Sequence, residues 1–163
     1  MNAGITIRRA APEDARAIAH LIDTFAADAL MLRRTPAMIE LSIADYVVGA
    51  GASGEIVACG ALKEYSPSVA EVAAIAVSAH LHGRGVGKAI VESVERLAVK
   101  RGTLELFALT LQPAFFTALR YQRVDRARYP EKIRRDCLGC ARRFACNEVC
   151  FSKVLNFAVR SAA

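Results

Sequence analysis

His82-Gly83-Arg84-Gly85-Val86-Gly87-Lys88 stands between an apolar run that ends at Val77 and the most regular helical pattern in the chain, Val86 to Lys100. Val86, Ile90, Val94 and Leu97 recur at the helical period and define one apolar face. Glycines ahead of such a helix let the backbone approach a ligand closely. The helix N-terminus adds N–H groups that lack intrahelical acceptors, at the positive end of the dipole. With Arg84 and Lys88 in the same stretch, the segment reads as an anion cradle. It is not a Walker loop, because no Gly-Lys-Ser/Thr occurs. Its glycine spacing, and its place after four strands, also depart from the dinucleotide fingerprint.

Those four strands are read upstream. Gly4 to Arg9 alternates weakly. Pro12, with Glu13 and Asp14 behind it, suits a helix start, and Ile18, Leu21, Ile22 and Phe25 continue it at helical spacing. A second helical stretch covers Pro36 to Ile43. Asp45 to Gly49, Ile56 to Tyr65 and Val69 to Val77 are short apolar runs separated by the turn signals at 49–54 and Ser66-Pro67-Ser68, the pattern of an antiparallel meander. Downstream of the helix come Gly102, a strand over Leu104 to Leu109, a short helix over Pro113 to Leu119, a strand over Tyr121 to Val124 and a last strand over Glu148 to Leu155. The class expected is α+β (mixed α/β): a central mixed, mostly antiparallel sheet flanked by helices.

The chain has 163 residues, 54% of them hydrophobic, which suits one globular domain over 1–163 and argues against disorder. No apolar run reaches a membrane-spanning length of about 20 residues. Met1 to Ile5 lacks a basic segment followed by an apolar stretch, so no secretory leader is expected. Five cysteines, an odd number with four between Cys137 and Cys150, fit a reducing cytoplasm better than a disulfide framework. Net charge is +6, unevenly spread: residues 1–95 carry 8 basic and 11 acidic side chains, residues 96–143 carry 12 and 4. The skew reads as a solvated basic face, or as a surface for a polyanionic small ligand. Nucleic acid is the weaker reading, because no aromatic-interleaved RNA motif accompanies the charge.

His82-x-x-Gly85-x-Gly87 resembles the Arg/Gln-x-x-Gly-x-Gly/Ala loop with which the GNAT superfamily of N-acetyltransferases binds acetyl-CoA, with His82 replacing the first residue. Ile75-Ala76-Val77 is similar to the strand whose backbone holds the pantetheine arm. Phe115-Phe116-x-x-Leu119-x-Tyr121 resembles the helix-then-strand segment beside the cofactor thiol. The resemblance implies a GNAT-like fold, acetyl-CoA as co-substrate and a cofactor site made of Ile75, Ala76, Val77, His82, Gly83, Arg84, Gly85, Val86, Gly87 and Lys88. A narrower resemblance is to the short, stand-alone bacterial N-acetylglutamate synthases. It rests on Leu32-Arg33-Arg34-Thr35, Asp45-Tyr46-Val47-Val48, Cys59-Gly60-Ala61-Leu62, Ala70-Glu71-Val72 and Phe107-Ala108-Leu109-Thr110-x-Gln112-Pro113. Further on it rests on Val124-Asp125, Pro130-Glu131-Lys132 and Asp136-Cys137-x-x-Cys140 with Cys146 and Glu148-Val149. It implies acetylation of the α-amine of L-glutamate, the entry to arginine biosynthesis. That family usually carries Glu-Ile-Arg where this chain has Glu71-Val72-Ala73, so a carboxylate partner has to come from elsewhere.

The mechanism so implied is direct attack of a neutral amine on the thioester, with a backbone N–H of the 75–77 strand stabilising the oxyanion. Glu71, on that strand before the cofactor arm, is the expected general base; the alternative is a structural ion pair. Phe116 occupies the place where many members carry a tyrosine acid, leaving Tyr121 or water as substitutes. Arg33 and Lys63, with Arg34 beside them, are expected at the acceptor carboxylate, against the plainer reading of solvated surface. His82 assists phosphate binding or has no role, and His20 is structural. Cys137-x2-Cys140 looks like half a zinc site, but the Cys146-x3-Cys150 spacing is unusual and no histidine lies near, so no metal is expected. The expected partner is a small-molecule amine, with no nucleic acid and no membrane, and a homodimer is permitted. The competing functions are acetylation of another small amine or peptide N-terminus, and a non-catalytic acyl-CoA sensor or RNA-binding module.

Overall fold

A computed structural model describes residues 4–28 and 30–156; residues 1–3, read above for a leader, lie outside the described residues. The described residues form seven strands and five α-helices. They are β1 (Thr6–Arg9), α1 (Ala15–Ala26), α2 (Pro36–Leu41), β2 (Tyr46–Ala50), β3 (Ile56–Glu64), β4 (Val69–Val77), α3 (Val86–Lys100), β5 (Glu105–Thr110), α4 (Pro113–Ala118), β6 (Gln122–Val124), α5 (Pro130–Lys132) and β7 (Val149–Val154). The hydrogen-bonded strand order is β1-β2-β3-β4-β5-β7-β6. β4 and β5 pair in parallel, and the β1–β2, β2–β3, β5–β7 and β6–β7 pairs are antiparallel. The mixed, mostly antiparallel sheet expected from the sequence is therefore present. A parallel pair requires a long crossover, which here contains α3. Among the described residues no helix is long and apolar enough to cross a membrane.

The boundaries differ from the sequence reading in small ways with local causes. Pro12 does open a helical stretch, but its first turn, Pro12–Asp14, is a 3₁₀ turn leading into α1. Asp14 is held there by Arg8, whose guanidinium donates to both carboxylate oxygens at 2.7 and 2.9 Å and keeps that carboxyl below its usual range. The second helix stops at Leu41 rather than Ile43, and a 3₁₀ turn over Ile43–Asp45 delays β2 to Tyr46.

The chain divides into two compact units: Met1–Lys63 with Val72–Leu97, and Glu64–Glu71 with Ala98–Ala163. In the first, α1 buries Ile18, Leu21 and Ile22 with Ile39 of α2, Tyr46 and Val48 of β2, and Cys59 and Ala61 of β3. Alternation along β3 turns Gly60 the other way, toward α3. A Cβ placed on Gly60 would lie 2.6 Å from Ile75 Cδ1 and 2.6 Å from Ile90 Cγ2. Glycine is required there by the close approach of α3, whose Val86, Ile90, Val91 and Val94 are buried. Gly60→Ala should therefore destabilise the protein by about 1–3 kcal/mol, the usual cost of overpacking, and lower Tm by several degrees. An unchanged melting temperature would mean that α3 does not pack this closely.

In the second unit, Phe107 of β5 stacks on Tyr129 with ring centroids 4.0 Å apart, and Tyr65 tilts against Phe107 at 5.5 Å. Cys150 of β7 completes this core. The segment after β6 holds an element that no sequence pattern announced. α5 runs directly into a π-helical turn, Ile133–Cys137, in which the Leu138 N–H donates to the Ile133 carbonyl five residues back at 3.0 Å.

Candidate active site

The loop ahead of α3 has the geometry of an anion cradle. Gly83 and Gly85 adopt φ of +74° and +80°, the left-handed region that side chains with a Cβ avoid. The Arg84 N–H donates to the Leu81 carbonyl, closing the turn. The first intrahelical bond runs from Ala89 N–H to Gly85 O at 3.1 Å, so the N–H groups of Val86, Gly87 and Lys88 precede the helical ladder. His82, Gly83, Arg84, Gly85 and Lys88 are exposed, Gly87 is half-buried and Val86 is buried in the core. Lys88 makes an exposed ion pair with Glu92 at 3.8 Å. His82 does something the sequence did not suggest. Its Nε2 lies 2.7 Å from the Val77 carbonyl, and its ring stacks on Phe25 of α1 at 6.2 Å. A carbonyl only accepts, so Nε2 carries the proton, and the imidazole ties the loop to the end of β4.

β4 itself is irregular. Ala74 has φ +53°, which for a non-glycine residue costs of order 1 kcal/mol. The Cys59 thiol, which burial pushes up to about 12 and so keeps neutral, donates to the Ala74 carbonyl at 3.4 Å. Ile75 and Val77 follow half-buried, with Ala76 buried between them.

The second unit holds a polar cluster at the other end of β4. Its parallel pairing with β5 covers Val69 to Glu71, with Glu71 opposite Phe107. The Glu71 side chain is 7% exposed, and its Oε2 accepts from Lys132 Nζ at 2.9 Å. The same oxygen is 2.9 Å from the Tyr65 hydroxyl. Asp136 repeats the arrangement: Lys132 Nζ is 3.0 Å from its Oδ2, and the Tyr65 hydroxyl also reaches that oxygen. Four groups thus form a closed ring, in which a hydroxyl and an ammonium bridge the same two carboxylate oxygens. Burial draws the Lys132 ammonium down, but Glu71 and Asp136 outweigh it and hold the pKa above its ordinary value. Burial, then the two carboxylates, push the Tyr65 phenol far up, so it stays protonated. With both carboxylates ionised the ring carries one net negative charge.

Other expected residues are placed as follows. Arg33 pairs with Asp23 at 3.3 Å and is 71% exposed. Arg34 offsets part of the effect of burial on the Tyr46 phenol. Lys63 is half-buried near the end of β3. Phe116 is buried, edge-on to Tyr121 at 5.2 Å. The Arg126 guanidinium donates to Cys146 Sγ at 3.5 Å, and burial pushes the Cys150 thiol up to about 11. Among the described residues no three His, Cys, Asp or Glu side chains gather as metal ligands. Much of the basic excess of residues 96–143 is engaged within its own unit: Arg101 with Glu64, Arg128 with Glu105, Lys132 with Glu71 and Asp136, and Arg134 with Glu131.

Comparison with known proteins agrees with this geometry. The Acetyltransferase (GNAT) family model matches residues 15–122. The chain is 34% identical over 149 residues to an uncharacterized N-acetyltransferase of Chlorobaculum tepidum, covering 91% of this chain and 96% of that one. It is 30% identical over 112 residues to the amino-acid acetyltransferase of Mycobacterium tuberculosis, covering 68% and 64%. Among solved structures it is similar to N-acetylglutamate synthase from Neisseria gonorrhoeae complexed with coenzyme A and N-acetyl-glutamate. That likeness has a TM-score of 0.82 at 26% identity and covers 96% of this chain but 36% of that one. Its fold also matches Rv2747 from Mycobacterium tuberculosis in complex with CoA and NLQ, with a TM-score of 0.79 at 23% identity, covering 93% and 99%.

Proposed function

Because the chain belongs to the GNAT family and is an acetyl-CoA-dependent N-acetyltransferase, we propose that its acceptor is the α-amine of a small amino acid, L-glutamate, in the cytoplasmic entry step of arginine biosynthesis. The observation that carries this reading is the buried Glu71. It is held between Lys132 and Tyr65, four residues ahead of Ile75–Val77 on one strand. Two similarities support the acceptor class: an amino-acid acetyltransferase, and a synthase whose structure holds N-acetyl-glutamate.

The loop residues Gly83, Arg84, Gly85, Gly87 and Lys88, with the N–H groups of Val86 to Lys88, fit a pyrophosphate. The backbone of Ile75 to Val77 fits the pantetheine amides. Acetyl-CoA supplies the activated acyl group when bound. The chain's own residues do the rest: the 75–77 backbone aligns the acyl carbonyl and donates an N–H to it, and Glu71 removes the ammonium proton so that the amine can attack; as the C–N bond forms the C–S bond breaks, and the second amine proton passes to the departing thiolate, directly or through water. His82 holds the loop against Val77 and so keeps the two binding segments in register.

With Ala73 offering no cation, we assign the acceptor carboxylate to Lys63 or Arg33. Arg33's exposed pair with Asp23 is weak enough to be exchanged for a ligand. Methionine at the correct position keeps much of the side-chain volume and removes the charge. It should raise the glutamate KM by about 10–100-fold, the scale of a charged hydrogen bond, with acetyl-CoA affinity unchanged. The experiment is CoA release against a panel of amino acids, with Lys63→Met and Arg33→Met beside the wild type. Release with a non-acidic amine and none with glutamate rules out the acceptor and leaves only the acetyltransferase. Unchanged glutamate KM in both variants removes these residues from the binding model.

A further inference from the structure

A base as buried as Glu71 must return its proton to water before the next turnover, and the ring around it holds an exit. The geometry points to Tyr65 and Asp136 as a proton relay that empties Glu71 toward solvent, with Lys132 as the positioning residue that aligns both carboxylates on the tyrosine hydroxyl. This rests on Glu71 being the base.

Exposure of the side chains rises along the route, from 7% at Glu71 to 25% at Asp136. Of the two bridging groups only one can conduct. An ammonium has no lone pair to receive a proton, whereas a hydroxyl accepts on its oxygen while donating its hydrogen. When Glu71 takes the ammonium proton, the new Oε2–H faces the Tyr65 oxygen at 2.9 Å. That O–H bond breaks as a bond to the Tyr65 oxygen forms. In the same motion the original Tyr65 O–H breaks and its hydrogen passes to Asp136 Oδ2, with which the hydroxyl is in contact. Glu71 returns to a carboxylate, Asp136 becomes a carboxylic acid, and Tyr65 ends neutral. The transfer is concerted, since a phenol between two carboxylates does not ionise by itself. Asp136 then releases the proton to water or buffer. Other groups near the ring include Cys137 beside Lys132, Cys150 on β7, and the Arg135 guanidinium 4.9 Å from the Tyr65 ring centre, with Arg126 acting on both thiols. Burial keeps both thiols protonated.

The test uses the full chain with acetyl-CoA and L-glutamate, at constant ionic strength, across pH and with increasing imidazole as an external proton carrier. Wild-type kcat should not respond to imidazole. Tyr65→Phe and Asp136→Asn should each lower kcat about tenfold or more in dilute buffer. Both should regain activity severalfold as imidazole rises, with the acetyl-CoA KM unchanged. Glu71→Gln should stay about 10²–10⁴-fold below the wild type at every imidazole concentration. Wild-type kcat in both relay variants, or a loss that imidazole restores at no pH, overturns the relay. If Glu71→Gln shows that loss while the relay variants behave as wild type, the base reading stands and the relay alone falls; wild-type turnover in Glu71→Gln removes both.

Discussion

Gly85→Val is expected to fold and to lose acetyl-CoA binding, with Kd raised at least about 100-fold. Gly85 stands at φ +80°, where a β-branched residue is strained by roughly 1–2 kcal/mol, so valine turns the loop away from this conformation. Two consequences follow for the ligand. If the loop takes the pyrophosphate as proposed, the new side chain stands in the phosphate's path and the N–H groups of Val86, Gly87 and Lys88 are displaced from it. A hydrogen bond to a charged group contributes about 1.5–3 kcal/mol, so losing two costs about 3–6 kcal/mol, or two to four powers of ten. The fold should tolerate the change because Gly85 is exposed, while the anchoring side chain of this turn, Val86, is buried and unaltered. Calorimetric titration measures the affinity and a thermal melt the fold. Gly85→Ala should fall between, having the backbone strain with less bulk. A folded valine variant that binds acetyl-CoA normally would remove the pyrophosphate from this loop.

This loop was legible in the sequence because its requirements are local. Positive φ needs glycine, an amphipathic helix needs its period, and both stand within one short stretch. The strands of the first unit were legible for the same reason, each being a short apolar run between turn residues. What was hidden depends on distance or on residues that carry no signal. Ala74 sits in the left-handed region without being glycine, so nothing marked the irregularity in β4. His82 stands where the family has Arg or Gln, and its partner is a backbone carbonyl, which every residue has. Lys132 approaches Glu71 across 61 residues of chain. Their meeting depends on the parallel β4–β5 pair, on β7 pairing beside β5, and on the short helix and π turn that precede it. The segment did figure in the narrower family likeness through Pro130-Glu131-Lys132 and Asp136-Cys137, but likeness marks residues without saying what they face. The ion pairs of the basic excess of residues 96–143 were hidden for a related reason. Its partners Glu64 and Glu71 lie in the acidic half of the sequence, and only folding brings them together.

The ring also decides what removal of Glu71 should do. Glu71→Gln should lower kcat about 10²–10⁴-fold, the usual contribution of a positioned base, and leave the fold intact. A structural ion pair predicts the opposite balance, since breaking a buried pair by deleting one partner costs about 3–5 kcal/mol when an uncompensated charge remains. Here none remains: Lys132 keeps Asp136 at 3.0 Å, so the ring goes from one net negative charge to neutral. Glutamine also preserves an acceptor for the Tyr65 hydroxyl. Melting temperature should therefore change little while turnover collapses. Lys132→Met is the contrasting variant. It leaves two carboxylates facing each other around Tyr65 with no bridging cation, and should lower stability as well as activity. Stopped-assay CoA release and thermal melts on both variants separate the readings. If Glu71→Gln melts far below the wild type but the folded fraction turns over normally, Glu71 is a structural partner of Lys132 and the base must be sought elsewhere.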